Sequence, residues 1–199
     1  MTSAQFFALL RRRTRRNAAR VDRSIERGTH RELVILMADS SGFSRKTHEH
    51  GILQFLAVMT QCYDRLIPLV ERREGTVISH AADNILAVFD EPGQAVDAAL
   101  ACHRWLRARN RGRPSAERFN ICVGIHAGTV VRLSDNVYGG PVNVAAKLGE
   151  DLAGKDETLV TAEVARRVEA KFRCTYSRSV EIGGRIFEIH RVRRARPRA

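Results

Sequence analysis

The sequence predicts an α+β domain, and three observations carry that prediction. Short apolar runs, such as VILMA at 34–38, alternate with segments of helical spacing, such as Ile52, Phe55, Leu56, Met59, Tyr63, Leu66 and Val70. Hairpin patterns are mixed among the crossovers, which separates this chain from a purely parallel α/β sheet. With 199 residues and 44% hydrophobic content, the chain is long enough for one sizeable core and short for two.

In order, residues 3–27 read as a basic helix carrying Phe6, Phe7, Leu9 and Leu10 on its early turns. RELVILMA (31–38) is a central strand. After DSSGFS, residues 46–74 have helical spacing, disturbed at Pro68 and ended by Gly75. TVISHAADNILAVFD (76–90) reads as two strands around a polar turn at Ala82–Asn84. EPGQAVDAALACHRWLRARN (91–110) is a second helix with proline near its start, and RGRPSAE is a loop. RFNICVGIHAGTVVRL (118–133) is a long or bent strand whose two glycines signal close backbone approach. GGPVNVAAKLGEDLAG (139–154) places a helix after a glycine turn, with Pro141 at its first position. Strand TLVTA, helix AEVARRVEAKF and two last strands ending in RIFEIHRV complete the chain. The order β-α-β-β-α-β, then α-β-α-β-β, is that of a ferredoxin-like βαββαβ core with a C-terminal α/β extension.

The net charge of +12 suggests nucleic acid until it is located. Residues 1–30 carry +6 and residues 191–199 carry +5, leaving about +1 for the 160 residues between. We therefore divide the chain into a basic N-terminal helix or tail (1–30), a near-neutral folded domain (31–190) and a basic C-terminal tail (191–199). The tails offer charge to an anionic partner, or are simply solvated, and the balance argues against a nucleic-acid-binding domain. Cys62, Cys102, Cys122 and Cys174 are widely spaced and form no CxxC pair, so neither zinc nor a disulfide is expected. No apolar stretch reaches the roughly 18 residues of a membrane span, and no signal pattern precedes the arginines; the expected location is cytoplasmic.

Asp39 follows an apolar strand, and Asp83 sits at the tip between two more. An unpaired buried carboxylate is costly, so each needs a cation, donors or solvent. In this strand order the two positions can be neighbours, and two aspartates there suit Mg²⁺ or Mn²⁺ with positions left for a phosphate substrate. The turn SSGFS leads into a helix and offers backbone N–H groups to phosphate. An aspartate after a strand also caps helices, and one in a hairpin also forms turns, so spacing alone leaves both readings open.

Four motifs, ADSSGF, AADNILAVF, VGIHAG and YGGPVNVAAKL, stand in the order of the class III nucleotidyl cyclase catalytic domain, which the chain resembles over roughly residues 31–190. The resemblance implies a head-to-tail homodimer with its active sites at the interface, a nucleoside triphosphate substrate and two divalent ions, Mg²⁺ or Mn²⁺. Asp39 and Asp83 match the metal-binding aspartates, and Ser40 would offer a backbone carbonyl. Ser41, Gly42 and Phe43 form the turn against the substrate. Asn143 matches the asparagine that orients the ribose, and Lys147 stands where the family has a transition-state arginine. The pattern breaks at the adenine-reading pair, whose positions hold Ser79 and Asn136, and at the glycine before the second aspartate, here Ala82. Both substitutes donate and accept hydrogen bonds, which suits a pyrimidine edge as well as a purine one. The missing purine pair and the absence of a recognisable sensor domain look like the pyrimidine cyclases of bacterial anti-phage signalling, which make cyclic UMP or cyclic CMP. An ATP-using cyclase and a pseudo-cyclase serving as a nucleotide-binding dimerisation module are the alternatives.

Overall fold

The computed structural model describes residues 1–80 and 83–194. Its elements are α1 (Ser3–Arg11), α2 (Ala18–Thr29), β1 (His30–Ser40), α3 (Phe43–His50), α4 (Ile52–Glu71), β2 (Thr76–Ser79), β3 (Asn84–Phe89), α5 (Pro92–Asn110), β4 (Ile121–Arg132), β5 (Val137–Tyr138), α6 (Gly140–Ala146), β6 (Thr158–Thr161), α7 (Ala162–Val168), β7 (Phe172–Ile182) and β8 (Arg185–Arg194). The strands form one sheet in the order β2-β3-β1-β4-β6-β8-β7, with β5 paired to β4. The first four strands are the antiparallel ferredoxin-like core, and β6 joins β4 in parallel.

The two faces of β1 sort by residue parity, as a pleated strand requires. Val34, Leu36 and Ala38 enter the main core with Phe55, Met59 and Leu66 of α4 and Val96, Ala99 and Cys102 of α5. Leu33, Ile35 and Met37 face the other way, against Ala145 of α6, with Val130 and Val137. This second cover is thin, and the glycines explain how it fits. A side chain on Gly124 would collide with the Ala145 carbonyl and the Gly149 amide, and one on Gly128 would stand 2.8 Å from the Pro141 ring. The close approach expected of those two glycines is present. Cys62, Cys102 and Cys122 are buried free thiols, and Cys174 is half-buried and free.

Several boundaries differ from expectation. The single helix expected over 3–27 is two, because Asn17 closes a turn: its side chain accepts from the Thr14 amide at 2.6 Å and donates to the Arg12 carbonyl at 2.9 Å. The helix expected over 46–74 breaks at Gly51, whose φ of 84° leaves the helical region. Pro68 sits inside α4 without ending it. The helix expected over 139–154 is α-helical only to Ala146 and continues as a π turn over Lys147–Leu152. That wider turn seats Gly149 on β1, where an added methyl would lie 2.6 Å from the Met37 carbonyl oxygen. Among the described residues, no helix is long and apolar enough to cross a membrane.

Candidate active site

Asp39 has the parity of Leu33, Ile35 and Met37, so the strand that buries those three carries its carboxylate out on the α6 face. Across the ladder Asp39 pairs with Asn84, which brings Asp83 beside it. Ser40 makes the junction: its amide donates to the Asp83 carbonyl at 3.1 Å and its hydroxyl donates to Asp83 Oδ2 at 2.6 Å. The sequence suggested the Ser40 carbonyl as a ligand. It did not show this hydroxyl bond, which fixes the second aspartate. Ala82, singled out before Asp83, lies outside the described residues.

Burial pushes the Asp39 carboxyl up to about 7, and the charges of Asp83, Glu150 and Asp151 push the same way, against one backbone hydrogen bond from Ser40. Among the described residues no cation bridges either aspartate, and no group of three or more His, Cys, Asp or Glu side chains is gathered to hold a metal. Two hard oxygen donors in a half-buried, like-charged pair suit a hard divalent ion whose remaining ligands come from carbonyls, water or substrate. The residues fit such an ion. Beside them, Gly42 (φ 81°) opens α3, while Ser41 has already given its amide to the Asn120 carbonyl at 2.9 Å. Phe43 lies edge-on to Phe55 at 4.9 Å, and its outer part is exposed.

The second group of residues rides on α6 and the π turn that continues it. Ala145 and Leu148 are buried while Asn143 and Lys147 are exposed, as their spacing requires. Lys147 bridges Asp151 at 2.7 Å across the π turn. Asn143 opens onto a cleft of about 470 Å³ shared with His126, Gly128, Glu163, Arg185 and Phe187. Arg185 lies 5.6 Å from the centre of the Phe187 ring, and burial holds His126 neutral by lowering it to about 4. Asp39, Asp83 and Lys147 do not line that cleft, while Glu150 and Asp151 of the π turn are near enough to raise the Asp39 carboxyl.

The two positions expected to read the base lie at the ends of strands. Ser79 ends β2, half-buried. Asn136 closes the β4–β5 turn: its carbonyl accepts from the Leu133 amide at 2.8 Å, its Oδ1 accepts from the Val137 amide at 2.8 Å, and its Nδ2 donates to the Tyr138 hydroxyl at 2.9 Å. The sequence carried no warning of Tyr138 or Asp151, although the spacings 136/138 and 147/151 put each pair on one side of its element. His80, which follows β2, is exposed.

Residues 25–193 match the family described as the adenylate and guanylate cyclase catalytic domain. A serine/threonine-protein kinase, pkn2, of Myxococcus xanthus is 32% identical over 137 residues, covering 66% of this chain and 16% of that protein. An adenylate cyclase of Streptomyces coelicolor is 28% identical over 159 residues, covering 77% of this chain and 40% of that one. The chain thus spans well under half the length of these relatives. Among solved structures, the adenylate/guanylate cyclase/hydrolase of Silicibacter pomeroyi superposes with a TM-score of 0.73 at 23% identity, covering 81% of this chain and 96% of that one.

Proposed function

The chain belongs to the adenylate and guanylate cyclase catalytic domain family, and from that premise we propose that it is a nucleotidyl cyclase, which joins the 3′-hydroxyl of a nucleoside triphosphate to its own α-phosphate and releases pyrophosphate. The observation that carries this is the strand-end pair Asp39 and Asp83, locked by Ser40 and without a cationic partner among the described residues.

Asp39, Asp83 and the Ser40 carbonyl would hold two divalent ions, Mg²⁺ or Mn²⁺. Such ions acidify the attacking hydroxyl and neutralise the triphosphate. The first-turn amides of α3, following Gly42, have no partner within the helix and face the polyphosphate. Asn143 holds the ribose, and Lys147 places a charge on the phosphate that turns over, released from Asp151 as substrate enters. Lysine supplies a point charge where arginine would supply a planar fork, so turnover is slow. In the head-to-tail homodimer that the family implies, one protomer would bring Asp39 and Asp83 and its partner would bring Asn143 and Lys147.

Two readings of the base follow from different observations. Ser79 and Asn136, in place of a purine-reading pair, favour a pyrimidine and a cyclic UMP or cyclic CMP product, as in anti-phage signalling. The Streptomyces relative, an adenylate cyclase, favours ATP. Incubation with Mn²⁺ and each of ATP, GTP, CTP and UTP, with cyclic products separated by mass, decides between them. No product from any of the four, with an Asp39→Ala control equally silent, overturns the cyclase reading in favour of a nucleotide-binding dimerisation module.

A further inference from the structure

The turn that carries Asn136 is held from outside by the first residues of the chain. The Ser3 amide and hydroxyl both donate to Asp135 Oδ1, at 2.8 and 2.9 Å. The Ser134 amide and hydroxyl both donate to the Met1 carbonyl, at 3.0 and 3.2 Å. Phe6 stacks on the Tyr138 ring at 6.0 Å with 12° between planes, and Phe7 meets it edge-on at 5.8 Å. Phe6, Ile25 and Leu133 are buried in one apolar cluster beneath these contacts. Tyr138, so held, accepts the Asn136 side-chain N–H.

The consequence lies in the Asn136 amide. A side-chain amide has two donors and an oxygen with two lone pairs, and its ends are interchangeable unless neighbours distinguish them. Here the Val137 amide can meet only an oxygen, and a hydroxyl already braced by two aromatic rings takes one N–H. One N–H and one lone pair remain, in a fixed order and direction. That is the pattern needed to recognise the edge of a base, and a freely turning amide would not discriminate.

We propose that Tyr138, buttressed by α1, is the positioning residue that holds the direction of the Asn136 amide, whose polarity the Val137 N–H sets, so that the N-terminal helix tunes nucleotide selectivity without touching the nucleotide. This rests on the reading of Asn136 as a base contact.

The test measures binding of the four 3′-deoxynucleoside triphosphates, which cannot cyclise, to the full chain in Mn²⁺ by calorimetry. The readout is the ratio of dissociation constants between the best and next-best base. Asn136→Ala should collapse that ratio. Tyr138→Phe keeps the ring stack and removes only the hydroxyl; it should lower the ratio about three- to tenfold, with the melting temperature little changed. Phe6→Ala should act in the same direction, and where it fails to fold, Tyr138→Phe still decides. An unchanged ratio in Tyr138→Phe, with a collapsed one in Asn136→Ala, overturns the positioning role and leaves Asn136 as a base contact. An unchanged ratio in Asn136→Ala overturns that reading and this inference with it.

Discussion

Replacing Asp39 by asparagine should stabilise the metal-free protein while abolishing its response to metal. The Asp39 carboxyl is raised from about 3.8 to about 7, chiefly by burial and then by Asp83, Glu150 and Asp151. At about 1.36 kcal/mol per tenfold change in proton affinity, that rise sets an upper bound near 4 kcal/mol. The carboxyl is only half-buried and water screens it, so we expect roughly 1–2 kcal/mol. The sign follows from the direction. With its folded value above its unfolded value, the group favours the folded state fully below pH 3.8, and that contribution is lost as pH rises through about 7. Asparagine has the shape but not the charge, so the variant should match the parent near pH 4, pull ahead as pH rises and hold a constant lead above pH 7. Urea unfolding in chelator at unit steps from pH 4 to 8 measures this. Repeating the pH 8 curve with Mn²⁺ should stabilise the parent and leave the variant where it was. A variant no more stable than the parent at pH 8 in chelator, or one still stabilised by Mn²⁺, would refute the reasoning.

Three further outcomes are expected. Gly149→Ala puts a methyl 2.6 Å from the Met37 carbonyl, where only backbone can give way; it should cost about 1–3 kcal/mol in thermal or urea unfolding and lower turnover by displacing α6. Asp39→Ala and Asn143→Ala, each inactive alone, should regain about a quarter of parental activity when mixed at equal concentration and allowed to exchange subunits, because half the dimers are mixed and each mixed dimer has one intact site; no recovery in dimers shown to exchange would contradict the shared site. Lys147→Arg should raise kcat severalfold and Lys147→Ala lower it by about 10²-fold, with KM changing less, as steady-state kinetics would show.

The core strands β1, β3 and β4 were legible because they are apolar runs bounded by turn residues, and their succession with the helices gave the ferredoxin-like core; the two-residue β5 was not. Gly124 and Gly128 were legible as close approaches for a similar reason: a strand otherwise rich in side chains gives them up at two positions. The neighbourhood of Asp39 and Asp83 followed from strand order. The π turn was not legible, because its cause is a contact between Gly149 and a strand more than a hundred residues earlier. Nor was the break at Gly51, because the polar residues before it form a helix of their own that runs up to the glycine. The docking of Phe6 on Tyr138 was hidden more deeply: the segment 3–27 reads as one basic helix, and the apolar residues on its early turns do not say which surface they cover.

The unequal cover of the two sheet faces bears on how such a domain diverges. Most of the packed interior lies beneath α4, α5 and α7, on the side away from Asp39. The residues assigned to ribose, phosphate and base sit on the thinly covered side, at half-buried or exposed positions that the main core does not use. Ser79 and Lys147 can therefore change with little loss of folding stability, and on the proposed reading a lineage can test new nucleotides without first acquiring compensating mutations in the core.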